Sequence, residues 1–92
     1  MSAGSTGAGE VLVGKKPIAS YLQAVLTAVA RGFNEVVLKA RGRNISRAVD
    51  VSQLAIRTML RDFEISSVTI GSEEIAGGRR VSTIEIRMRR KP

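Results

Sequence analysis

Apolar residues recur at Ile18, Tyr21, Leu22, Val25, Leu26 and Val29, a spacing of three and four that gathers side chains on one side of an α-helix. Pro17 suits the entry to this helix, because the N–H it lacks would be unpaired in the first turn. Gly32, just after Arg31, supplies the stop. A second helix is predicted to start around residues 44–46. At about 100° per residue, Ile45, Ala48, Val49, Ala55, Ile56, Met59, Leu60 and Phe63 fall on one broad face. Leu54 falls on the polar side, near Arg47, Arg57 and Arg61. A lone exposed leucine is ordinary, but together with Val51 it is a candidate contact between subunits or between dimers.

Elsewhere the pattern is that of strands. Residues 10–13, Glu-Val-Leu-Val, are β-branched and followed by turn residues. In residues 35–40, Val36, Leu38 and Ala40 take one face, and Val37 and Lys39, with Arg41 beyond them, take the other. Residues 65–75 and 81–88 flank Ala76, Gly77, Gly78 and Arg79, where two glycines supply the positive φ of a tight turn. Val68 and Ile70 in the first arm and Ile84, Ile86 and Met88 in the second alternate with polar residues, predicting a hairpin with one buried and one wet face. The predicted order is β-α-β-α-β-β, an α+β two-layer sandwich in a single domain over residues 10–92, with a hairpin arm at about 65–89. Residues 1–9 are small and polar and read as a flexible tail.

Size and charge then narrow the function. A chain of 92 residues holds one core. At this length only about 60–65% of the unfolded surface is buried, so self-association would help it. The net charge of +7, with eleven arginines and four lysines, calls for a polyanion, and nucleic acid is the foremost one. With no cysteine there is no disulfide framework or zinc knuckle, and with no histidine the commonest metal ligand and general base are missing. The carboxylates Asp50, Glu73, Glu74 and Glu85 have no such partner, so no active site assembles and no metal, cofactor or small-molecule substrate is expected. The chain shows no signal-peptide pattern and no apolar run near the roughly 18 residues of a membrane span. A soluble, cytoplasmic protein is the expectation.

The charge is gathered in three segments. Residues 39–47 carry Lys39, Arg41, Arg43 and Arg47 and no acidic residue, between a predicted strand and a predicted helix. A glycine there, Gly42, permits a sharp turn, and the helix N-terminus offers free N–H groups and the positive end of its dipole, which suits a phosphate. Arg41 and Arg43 are the foremost phosphate forks. Arg47 is either a third or a solvated helix residue paired with Asp50. Asn44 is an N-cap or a reader of base or sugar edges. Lys15 and Lys16 stand in a second turn before a helix. Residues 9–16 also match P-loop spacing, but Lys16 occupies the place of the magnesium-binding Ser or Thr, and residues 10–13 read as strand, which argues against nucleotide hydrolysis. The third segment holds Arg79 and Arg80 at the hairpin tip, with Arg87, Arg89, Arg90 and Lys91 along the last strand. Part of that strand's charge can serve to keep a sheet edge from pairing with other chains. Aromatic residues number three, Tyr21, Phe33 and Phe63. Base stacking on a single strand needs more exposed rings than this, so backbone-directed binding to a duplex is the better match.

These residues resemble a known family. Gly14, Lys15, Lys16 and Pro17, then residues 39–43 (Lys-Ala-Arg-Gly-Arg) with Ile45, Ser46, Ala48, Val49 and Asp50, then Gly71, Ser72 and residues 80–86 (Arg-Val-Ser-Thr-Ile-Glu-Ile) look like the Alba family of archaeal chromatin proteins. The resemblance runs from about residue 11 to residue 91. It implies a fold similar to the C-terminal domain of bacterial translation initiation factor 3, assembled as a homodimer that coats or compacts double-stranded DNA with little sequence preference and associates with the chromosome. It also implies that Lys15, Lys16, Arg41, Arg43 and Asn44 meet the nucleic-acid backbone, with Arg79 and Arg80 in the arm. The alternative it carries is an RNA-binding module, since family members bind RNA as well. Lys15 and Lys16 are candidates for acetylation, which would remove charge. Two departures stand out: the hairpin between Gly71 and Arg80 is shorter than in typical members, and Met59 replaces a phenylalanine that some members use between neighbouring dimers. Met59 and Leu54 are therefore the candidate dimer-dimer contacts.

Overall fold

A computed structural model describes residues 8–92 of the chain. Its elements are β1 (Ala8–Leu12), α1 (Ile18–Ala30), β2 (Glu35–Arg41), a 3₁₀ turn (Gly42–Asn44), α2 (Ile45–Thr58), β3 (Phe63–Ile75), a short turn (Ala76–Gly78) and β4 (Arg79–Arg90). The order is β-α-β-α-β-β, as the patterning predicts. Strand β1 begins two residues before the expected one, so residues 8 and 9 belong to the sheet. The rest of the predicted tail lies outside the described residues.

The four strands form one sheet in the order β1-β2-β4-β3. Strand β1 runs parallel to β2, and β4 runs antiparallel to both β2 and β3. Both helices lie on one face, α1 over β1 and β2, α2 over β2 and β4. The core between the layers is built from cross-strand neighbours such as Val36 with Met88, Leu38 with Ile86 and Ala40 with Ile84. Tyr21 and Val25 of α1 close it from above. At the end of α1 the Phe33 N–H donates to the Ala28 carbonyl and the Gly32 N–H to the Val29 carbonyl, a C-terminal cap that satisfies the last turn.

Helix α2 corrects two expectations. Its buried residues are Ala48, Val51, Ser52 and Ala55, so Val51 faces the core and is no candidate for a subunit contact, whereas Val49 is exposed. Small side chains let the helix approach the sheet closely, and the Ser52 hydroxyl donates to the Val49 carbonyl 2.8 Å away, which removes the cost of its burial. Apolarity alone points to the wrong edge of the stripe here. Phe63 is buried, but as the first residue of β3 rather than as part of the helix, which ends at Thr58.

The hairpin brings a further correction. Ile84, Ile86 and Met88 are buried, yet Val68 and Ile70, which face the same side as their partners Ile86 and Ile84, are 54% and 78% exposed. The reason is lateral: β3 is the edge strand, and the two helices lie on the other three strands. Pairing between β2 and β4 ends at Arg41 with Thr83, so residues 79–82 pair only with β3 and the hairpin tip stands clear of the sheet body as an arm.

Candidate nucleic-acid interface

While Arg87, Arg89, Arg90 and Lys91 of the third basic segment run along β4 toward the opposite end, the topology brings the lysine turn, residues 41–47 and the hairpin tip with Arg79 and Arg80 to one end of the molecule. The parallel strands β1 and β2 finish there, α1 and α2 begin there, and the arm continues in the same direction. Two helix N-termini and their positive dipole ends therefore flank the loops that carry Lys15, Lys16 and Arg43.

The lysine loop is held from both sides. The Tyr21 hydroxyl accepts hydrogen bonds from the Gly14 N–H at 2.8 Å and the Lys16 N–H at 3.0 Å. On the opposite side Arg47 donates through Nε to the Gly14 carbonyl at 2.8 Å and through a terminal nitrogen to the Lys16 carbonyl. The backbone of residues 14–16 is thus fixed by α1 and α2 together, while the Lys15 and Lys16 side chains are exposed and make no ion pair among the described residues. Neither role was evident in the sequence beyond one hint: a tyrosine within an apolar stripe needs a partner for its hydroxyl. Arg47 makes no pair with Asp50; its guanidinium is committed to the loop.

In the second loop Gly42 has φ +60, a left-handed conformation in open space, so its lack of a Cβ serves the backbone angle rather than a close contact. Arg43 beside it is exposed and unpartnered among the described residues. Asn44 occupies the N-cap position of α2 but makes no capping hydrogen bond, because the 3₁₀ turn runs into the helix with Asn44 already in helical geometry. Its half-buried amide is left for another partner. Arg41 is engaged: its guanidinium lies 2.7 Å from the Glu73 carboxylate on β3. In the arm, Arg80 donates to the Ser72 hydroxyl at 3.0 Å and to the Ser72 carbonyl at 3.3 Å, while Arg79, exposed after the turn, makes no ion pair among the described residues. An open groove of about 500 Å³ between the arm base and the loops is lined by Gly14, Lys39, Arg41, Asn44, Glu73 and Glu85 among others.

The face of the sheet away from the helices behaves differently. Lys39 lies between Glu10 at 3.3 Å and Glu85 at 3.9 Å, Arg87 meets Glu35 at 3.2 Å and Arg89 meets Glu64 at 3.0 Å. Val37, outward-facing and only 1% exposed, has Glu10 and Arg87 as cross-strand neighbours and Lys39 in its own strand, so the stems of these long side chains shield it. At the strand's end Arg90 pairs with Asp62 and sits 4.9 Å from the Phe63 ring centre. Of the basic residues singled out in the sequence, then, Lys39, Arg41, Arg87, Arg89 and Arg90 are compensated by carboxylates; Arg47 and Arg80 bond only to neutral oxygens, and Lys15, Lys16, Arg43 and Arg79 make no ion pair among the described residues. Arg31, Arg57, Arg61 and Lys91 are also unpaired among the described residues, but they lie at the opposite end, where helices finish and cations are favoured by the dipole alone.

The remaining candidates lie away from this end. Met59 follows the last turn of α2 and is exposed; Leu54 is half-buried on the same helix. Among the described residues no three His, Cys, Asp or Glu side chains gather as metal ligands, and no helix is long and apolar enough to cross a membrane.

The Alba family model matches residues 9–72. The DNA/RNA-binding protein Alba of Nanoarchaeum equitans is 48% identical over 88 residues, covering 89% of this chain and 98% of the relative. DNA/RNA-binding protein Alba 1 of Archaeoglobus fulgidus is 44% identical over 84 residues, covering 88% and 94%. Among solved structures, Alba from Thermoplasma volcanium superposes with a TM-score of 0.84 at 35% identity, covering 89% of this chain and 100% of that one. ALBA1 from Trypanosoma brucei shares the fold, with a TM-score of 0.76 at 21% identity over 90% of this chain and 69% of that one.

Proposed function

This chain belongs to the Alba family, and from that premise we propose that it is a non-catalytic, largely sequence-independent double-stranded DNA-binding protein that coats or compacts chromosomal DNA as a cytoplasmic homodimer. The observation that carries this reading is the gathering of uncompensated Lys15, Lys16, Arg43 and Arg79 at the end where both helices begin and the arm projects. Cations set beside positive dipole ends repel one another until an anion arrives, and a row of phosphates answers that arrangement. Asn44 and Arg80 stand at the same end as further contacts. Arg41 joins them once released from Glu73, and Arg47 contributes by holding the lysine loop. Exposed Val68 and Ile70 on the edge strand support burial against a second copy. Met59 and Leu54 offer a smaller contact between dimers. Acetylation of Lys15 or Lys16 would weaken binding by removing charge.

The names of the relatives give RNA equal standing with DNA, so RNA binding is the second reading. Titrating a random-sequence duplex and a structured RNA in competition at matched salt separates the two. On the first reading the duplex wins, unrelated duplexes bind with nearly equal affinity, and log K falls with log salt by about 0.9 per phosphate neutralised. Lys15→Glu and Arg43→Ala weaken all duplexes alike, while Arg57→Gln at the far end has a smaller effect. A strong preference for one duplex sequence, or for RNA, would overturn it.

A further inference from the structure

The groove between the arm base and the loops sits where phosphates are expected, yet the arginine that lines it is already paired. Arg41 ends β2 at the mouth of the groove, and the arm reaches back to it through Glu73, with 2.7 Å between guanidinium and carboxylate. Both side chains are more than half exposed. An ion pair in such a setting is weak, so a denser anion can displace it. The neighbouring cation, Lys39, is likewise shared between Glu10 and Glu85. Glu74, the next residue along the strand, faces the other side of the arm and makes no ion pair among the described residues.

We propose that Glu73 is a built-in competitor for Arg41: it holds the guanidinium in the free protein and must be displaced by a nucleic-acid phosphate, so that it lowers affinity and ties the arm to the body until binding occurs. This rests on the nucleic-acid reading above. In the bound state Arg41 exchanges one carboxylate for a phosphate, and the freed carboxylate faces the incoming backbone. Both consequences oppose binding, and both disappear when Glu73 loses its charge.

The test is fluorescence anisotropy with a random-sequence duplex, on the full chain carrying Glu73→Gln, Glu74→Gln, Arg41→Ala, or Arg41→Ala with Glu73→Gln, all at one salt concentration. Glu73→Gln is expected to tighten binding by about two- to five-fold, the range set by the strength of exposed ion pairs, and by more than Glu74→Gln does. In the Arg41→Ala background the extra gain vanishes. Equal gains from the two glutamine variants, or a Glu73→Gln gain as large without Arg41 as with it, would overturn the proposal, since either would reduce Glu73 to one more negative charge. If Lys15→Glu and Arg43→Ala weaken binding while Glu73→Gln does nothing, the competitor role alone fails. Absence of duplex and RNA binding by the unmodified chain would instead remove the reading beneath it.

Discussion

Tyr21 shows how a core residue governs a surface loop. Its ring is buried among the apolar residues of α1 and its hydroxyl receives two backbone N–H groups from the lysine turn. Removing one member of such a set leaves part-buried donors without a partner, at about 1–3 kcal/mol. Tyr21→Phe is therefore expected to lower stability by about that amount in urea denaturation, and to loosen residues 14–16 to amide exchange, with no change in charge. If the loop's exchange rates stay as they were, the anchor lies elsewhere. Arg47 works from the other side of the same turn by donating to its carbonyls. Basic character made Arg47 legible as a binding residue. Its actual partners, 33 and 31 residues away in sequence, are set by how α2 lies against the start of α1 and were not legible.

At the scale of elements the helices and strands follow the apolar pattern closely, because periodicity is a local property. The errors arise where a neighbour decides. Val51 and Ser52 are buried because α2 approaches the sheet through its small residues. Val68 and Ile70 alternate as a buried strand face should, but burial needs a layer above, and the two helices lie over the other three strands. An edge strand with apolar residues left exposed on the helix side of the sheet invites pairing or packing with another chain. The homodimer proposed above, if it packs through this strand, predicts that Ile70→Asp lowers the sedimentation coefficient from that of a dimer to that of a monomer. Since Ile70 is already exposed, the monomer's circular dichroism should be unchanged. A variant that stays dimeric would move the interface away from β3.

Over the whole molecule, charge is sorted rather than spread. The sheet face away from the helices pairs its cations with carboxylates, and the end bearing the helix N-termini and the arm leaves Lys15, Lys16, Arg43 and Arg79 without an ion pair among the described residues. Composition gives the excess of positive charge but not this division, which depends on cross-strand register: Lys39 meets Glu10 and Glu85 only because β2 lies between β1 and β4. The arm has one more consequence. A two-stranded ribbon without further support is only marginally stable and frays. Its tip joins Arg79 and Arg80 to a turn in which Gly77 and Gly78 have φ of 83 and 77, the kind of exposed segment where a protease first finds its substrate. Trypsin should nick the free protein at this dibasic tip, and a duplex lying against the arm should slow the cut in proportion to occupancy. Cleavage at an unchanged rate in the presence of saturating duplex would place the arm outside the complex.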